Sequence, residues 1–76
     1  MTTRHALQLI EARALLRSGE AREIRQAAGL SLHEVALVCR VTPGAVSRWE
    51  NSERRPTGEA AVLFASLLAK IREAGK

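Results

Sequence analysis

Apolar residues recur along this chain at helical spacing, and no stretch alternates for long enough to suggest a strand. From about Thr3 to Arg17 they repeat at Leu7, Ile10 and Ala14, with Leu9 and Leu16 on the opposite side, and Gly19 suits the end of the segment. The pattern predicts a helix with two apolar faces. A second helix is predicted from about Glu20 to Ala28, with Ile24, Ala27 and Ala28 turned inward and Gly29 able to close it in the left-handed conformation. Ser31-Leu32-His33-Glu34 then spells a capping box, with Leu30 and Val35 in hydrophobic-staple positions. The helix it opens ends near Cys39. Thr42-Pro43 starts another as N-cap and first helical residue, with Val41 and Val46 as its staple. Ser52-Glu53-Arg54-Arg55-Pro56 breaks the pattern, and Thr57 caps a last helix to about Glu73. There Ala60, Leu63, Phe64, Leu67, Leu68 and Ile71 cover an arc of about 140° at ~100° per residue, wider than one core contact needs.

Thirteen alanines and only two prolines, Pro43 and Pro56, favour helix nearly throughout. The fold class is therefore all-α, a single compact domain of about five helices. Seventy-six residues suffice for one domain, with no expectation of a second, effector-binding one. The formal charge is +4, and ten of the twelve basic residues are Arg, whose planar donor fork suits phosphates and guanine edges. An anionic partner is expected. One Trp, one Phe and no Tyr leave few rings for stacking unpaired bases, which favours double-stranded DNA over single strands. A lone cysteine, Cys39, cannot form an intramolecular disulfide, and a charged N-terminus with Arg4, His5, Glu11 and Arg13 interrupts any apolar signal. The expected location is the cytoplasm of a bacterial host or its nucleoid, with no membrane contact.

Two short helices joined by a tight turn, the second opened by Thr-Pro and small residues, have the architecture of a helix-turn-helix, whose second helix lies in the major groove. The residues themselves resemble a known family. The stretch Arg25-Gln26-Ala27-Ala28-Gly29-Leu30-Ser31-Leu32-His33-Glu34-Val35-Ala36, followed by Val41-Thr42-Pro43-Gly44-Ala45-Val46-Ser47-Arg48-Trp49-Glu50-Asn51 and Arg54-Arg55-Pro56, is similar to the Cro and lambda-repressor-like (XRE) family. The resemblance covers about residues 20 to 71 and implies a lambda-repressor-like helical domain over 20–76, preceded by an extra N-terminal helix in 1–19.

Each matched position also has a mechanical reason. Ala36 sits where the two helices cross and only a small side chain permits close approach, while Val35, Val41, Val46 and Trp49 fill the wedge between them. The resemblance implies base contacts from Thr42, Pro43, Gly44, Ser47 and Arg48. Of these, Arg48 can read guanine bidentately and Ser47 can bond either way, whereas Pro43 and Gly44 carry no side-chain donor. Phosphate contacts are expected from exposed helix N-termini, here the one opened by Ser31, and from Asn51, Arg54 and Arg55. Arg25 and Glu50 match a family pair that ties the first domain helix to the end of the recognition helix.

Two departures stand out. Where the family usually has Gln opening the first motif helix, this chain has Leu32, so a contact there falls to a backbone amide or is lost. At the turn the family usually has a left-handed Gly, whereas Arg40 stands here at a cost of roughly 1 kcal/mol, to be offset if its side chain reaches a phosphate.

Catalysis finds little support. His5 and His33 lie far apart, there is one thiol and no Asp, and no glycine-rich phosphate loop is present. No metal, cofactor or small-molecule substrate is expected, and Cys39 reads as a small core residue. The resulting function is a sequence-specific duplex-DNA-binding transcriptional regulator resembling a stand-alone Cro-type phage or prophage repressor. An antitoxin, an excision or control protein, and an antirepressor-like protein-interaction module are the alternatives. A homodimer is expected at least on DNA, because one recognition helix reads only a few base pairs. The surplus apolar surface on the first and last helices either forms that contact or is covered within the chain.

Overall fold

The computed structural model describes residues 3–75. Five helices follow one another: α1 Thr3–Ser18, α2 Glu20–Ala27, α3 Leu32–Cys39, α4 Pro43–Glu50 and α5 Gly58–Ala74. No strand occurs among the described residues. α1 and α5, the two long helices, pack on each other, and α2, α3 and α4 are built against them around one core. That core centres on Val35, Ala36 and Cys39 of α3, Val46 and Trp49 of α4, and Phe64 and Leu68 of α5. Trp49 meets Phe64 edge to face, with ring centroids 5.3 Å apart, which locks α4 onto α5.

The capping box at Ser31 forms in full. The Ser31 hydroxyl accepts the Glu34 amide at 3.0 Å, and the Glu34 carboxylate accepts the Ser31 amide at 2.9 Å. α2, α3 and α4 then close by one shared device. Gly29, Arg40 and Ser52 take left-handed φ values of 75°, 61° and 59°. The amide that follows each donates five residues back: Leu30 to Arg25, Val41 to Ala36 and Glu53 to Arg48, at 3.1, 3.0 and 2.9 Å. Only one of the three has Gly, so Arg40 and Ser52 each carry a backbone cost of about 1 kcal/mol.

Several expectations need correction. On α1 the buried side is Leu9, Ala12, Leu15 and Leu16, while Leu7 and Ile10 are each 62% exposed and Ala14 is also exposed. Both sides carry apolar residues at helical spacing, so periodicity could not choose between them. The choice follows from α5, whose buried residues are Ala61, Phe64, Ala65 and Leu68. Small side chains at Ala12, Ala61 and Ala65 let the backbones approach, and the bulky Leu63, Leu67 and Ile71 are left half-buried beside the seam. Leu16 and Leu68 are thus core residues. α1 and α5 pack on each other within one chain, and Leu7 and Ile10 are left outside the seam. Ala27 and Ala28 are exposed, and Ala21 provides the buried contact of α2. Thr57 precedes α5, but its side chain makes no capping bond.

Candidate nucleic-acid interface

α4 starts where Thr42 accepts the Ala45 amide on its hydroxyl at 3.2 Å, and Pro43 fills the first helical position, where no amide is required. Its rear face, Val46, Trp49 and Glu50, is buried. Thr42, Pro43, Gly44, Arg48 and Asn51 are exposed, with Ser47 half-buried at the edge. A Cβ at Gly44 would meet only Thr42 Oγ1 at 3.9 Å, so internal packing does not demand glycine there. Its lack of a side chain narrows the protruding end of the helix.

Glu50 anchors the rear of α4 to α2. Its side chain is 1% exposed and receives Arg25 Nε at 2.6 Å and Arg25 Nη2 at 3.0 Å, a two-pronged pairing. Arg25 also donates to the Leu30 carbonyl at 2.9 Å, tying the end of α2 into the same knot. Arg22, one turn earlier on α2, adds a bond to Glu50 at 3.3 Å and another to Asn51 Oδ1 at 2.7 Å. The Asn51 amide in turn donates to Ser47 Oγ at 3.4 Å. Sequence reasoning missed Arg22. The signal available was its spacing of three from Arg25, which puts both guanidinium groups on one face of α2.

Ser47 and Asn51 therefore belong to one hydrogen-bonded chain running from Glu50 to the exposed edge of α4. Ser31 is exposed, but its hydroxyl and amide are both committed to the capping box. Those bonds from Ser31 hold the Glu34 carboxyl below its ordinary range, so an anion at this helix end would meet a carboxylate. Only the next first-turn amides, of Leu32 and His33, are left by the helix for a phosphate. The Leu32 side chain packs against the core. Arg40 turns to Glu59 at 2.9 Å instead of standing free, so its charge is balanced on the surface. Arg48, Arg54 and Arg55 are exposed, and their side chains have no hydrogen-bond or ion-pair partner among the described residues. The amides of Glu53 and Arg54 donate to the Arg48 carbonyl at 2.9 and 3.4 Å, folding the loop back against the end of α4.

Burial pushes the Cys39 thiol up to about 11, which keeps it protonated. No group of three His, Cys, Asp or Glu able to hold a metal occurs among the described residues, and none of their helices is long and apolar enough to cross a membrane.

Comparison with curated proteins and with solved structures gives no match. The helix-turn-helix family model matches residues 22–73, which takes in most of α2, all of α3 and α4, and nearly all of α5. With α3, the left-handed turn at Arg40 and the exposed α4 within the matched span, the chain belongs to the helix-turn-helix family of Cro and lambda-repressor-like (XRE) DNA-binding proteins.

Proposed function

We propose that this protein is a sequence-specific regulator of transcription, of the Cro-like phage or prophage repressor kind, that binds a duplex operator through α4 without catalysing a reaction. The observation that carries this reading is the two-sidedness of α4. Its rear is fixed by Val46, Trp49 and the buried Glu50 knot, while Arg48 and the capped start at Thr42, Pro43 and Gly44 face outward with no internal partner for the guanidinium. A rigid helix end with an uncommitted arginine matches what base-edge reading requires. Arg48 reads a guanine, Ser47 and Thr42 bond neighbouring edges, and the bare Pro43 and Gly44 let the backbone come close. Asn51, Arg54 and Arg55 bind flanking phosphates, and Ser31 marks a helix end whose amides take another.

Two copies bind one operator, because a single recognition helix spans too few base pairs for operator-level affinity. Large apolar side chains exposed for such a contact are Leu7 and Ile10 on α1 and Leu37 and Val38 on α3. The test is selection of bound duplexes from a random pool. Enrichment of one guanine-containing half-site, repeated with two-fold symmetry about one helical turn apart, is the expected outcome. A pool that emerges without any sequence preference would refute the reading.

A further inference from the structure

Of the ten arginines, Arg22, Arg25, Arg40 and Arg72 are paired with Glu50, Glu59 or Glu11. Arg13, Arg17, Arg54 and Arg55 have no such partner among the described residues, and all four line one open cleft of about 350 Å³. Its two walls come from distant parts of the chain. Arg13 and Arg17 stand one turn apart on α1, and Arg54 and Arg55 lie on the loop after α4. Leu16 and Trp49 also line the cleft, both nearly fully buried, which ties it to the core. No acidic residue lines the cleft; Glu53, in the same loop, is not among its lining residues.

Four like charges around one depression repel each other and gain most when an anion enters. The fold concentrates them there although it neutralises four other arginines with glutamates. We propose that this cleft is a phosphate-binding site for the DNA backbone, in which α1 adds Arg13 and Arg17 to the contacts made by Arg54 and Arg55. Arg13 and Arg17 lie outside the stretch that matches the family, residues 22–73, so the family resemblance does not imply this part of the footprint. The ligand is a phosphodiester strand, because the cleft is open and its arginines come in two pairs from separate segments, and each guanidinium fork grips phosphate oxygens. The inference rests on the reading of the protein as a duplex binder, and it lengthens the footprint beyond the recognition helix.

The experiment compares the full chain with its Arg13→Gln/Arg17→Gln and Arg54→Gln/Arg55→Gln variants on a duplex of unrelated sequence, measuring affinity across a salt series. Each phosphate contact contributes about 0.9 to the slope of log affinity against log salt. Arg13→Gln/Arg17→Gln should lower the slope by about 2 units, as should the loop variant, with preference among duplexes unchanged. An unaltered slope for the α1 variant while the loop variant loses its share overturns this inference alone. Failure of the unsubstituted protein to bind any duplex overturns the function reading as well. A second measurement needs no variant: the Nε–Hε resonances of Arg13 and Arg17 should shift when duplex is added to the native protein. Equal shifts with inorganic phosphate at matched ionic strength would make the cleft a small-anion site and refute the strand reading. Shifts with an acidic peptide but none with duplex would assign it to a protein partner and refute it likewise.

Discussion

Glu50→Ala is the substitution whose cost the structure defines most fully. The carboxylate is 1% exposed and accepts two bonds from Arg25 and one from Arg22, whose side chains are 12% and 44% exposed. Removing one member of a buried ion pair costs roughly 3 to 5 kcal/mol, because the other charge is stranded. Two features reduce that figure. Arg25 retains the Leu30 carbonyl, and Arg22 reaches solvent, where its share is worth under about 1 kcal/mol. The expected loss is about 2 to 4 kcal/mol, a large part of the roughly 4 to 11 kcal/mol that a domain of this length commands. At about 4 to 8 °C per kcal/mol, the melting midpoint falls by roughly 8 to 32 °C. Urea unfolding followed by circular dichroism measures the change, with an unaltered m-value showing that the native fold persists. The cycle Arg25→Ala with Glu50→Ala should give a coupling of about 1 to 3 kcal/mol, and Arg22→Ala with Glu50→Ala less than about 1. Arg25→Met with Glu50→Leu, which removes both charges, should recover most of the loss. Additivity within about 0.5 kcal/mol for Arg25 and Glu50 would refute the assignment of stability to this pair.

Arg48→Ala should weaken binding to the selected operator by about 1 to 3 kcal/mol and relax preference at one guanine, leaving unrelated duplexes nearly unaffected; an equal loss on all duplexes in a gel-shift series would make it a phosphate contact. Cys39 should react with a disulfide reagent at pH 8 about a hundredfold more slowly in the folded chain than in urea, since burial raises its thiol from 9.0 to about 11. The same shift means that stability is fully present below pH 9.0 and is lost as pH rises toward 11, where only the unfolded thiol ionises readily. At the acid end the sign is reversed. The depressed Glu34 carboxyl stabilises the fold above its ordinary value of 4.5, and that contribution fades as pH falls toward its lower folded value. Acid titration of Glu34→Gln should show a flatter decline than the native chain, and an identical decline would contradict the capping role.

Helix starts were legible because their chemistry is local. Ser31 with Glu34 and Thr42 with Pro43 state their geometry within four residues, and the chain adopts both. The small Ala36 at the crossing and the wedge of Val35, Val46 and Trp49 were equally plain, since all four are buried, while Val41 of the same wedge is half-buried at its edge. What escaped depends on packing partners far away in sequence. Leu9 and Leu7 are chemically alike, and only the packing of α1 on α5 decides which is covered. Arg22 acquires its role from Glu50 and Asn51, more than twenty-five residues on. Arg40 was legible as a strained turn residue, but its attachment to Glu59 depends on where α5 begins. Ser52 carries no glycine signal for the left-handed turn it makes.

The placement of α1 makes the core depend on the joint at Gly19. α1 supplies Leu9, Ala12, Leu15 and Leu16 to the buried core, although it lies outside the family-matched segment. A protease that cut the joint between Ser18 and Glu20 would therefore strip a whole wall from Phe64, Ala65 and Leu68. The remaining chain would still spell a helix-turn-helix but would expose apolar surface and be cleared as unfolded. The abundance of such a regulator would then follow the rate at which one sixteen-residue helix comes loose.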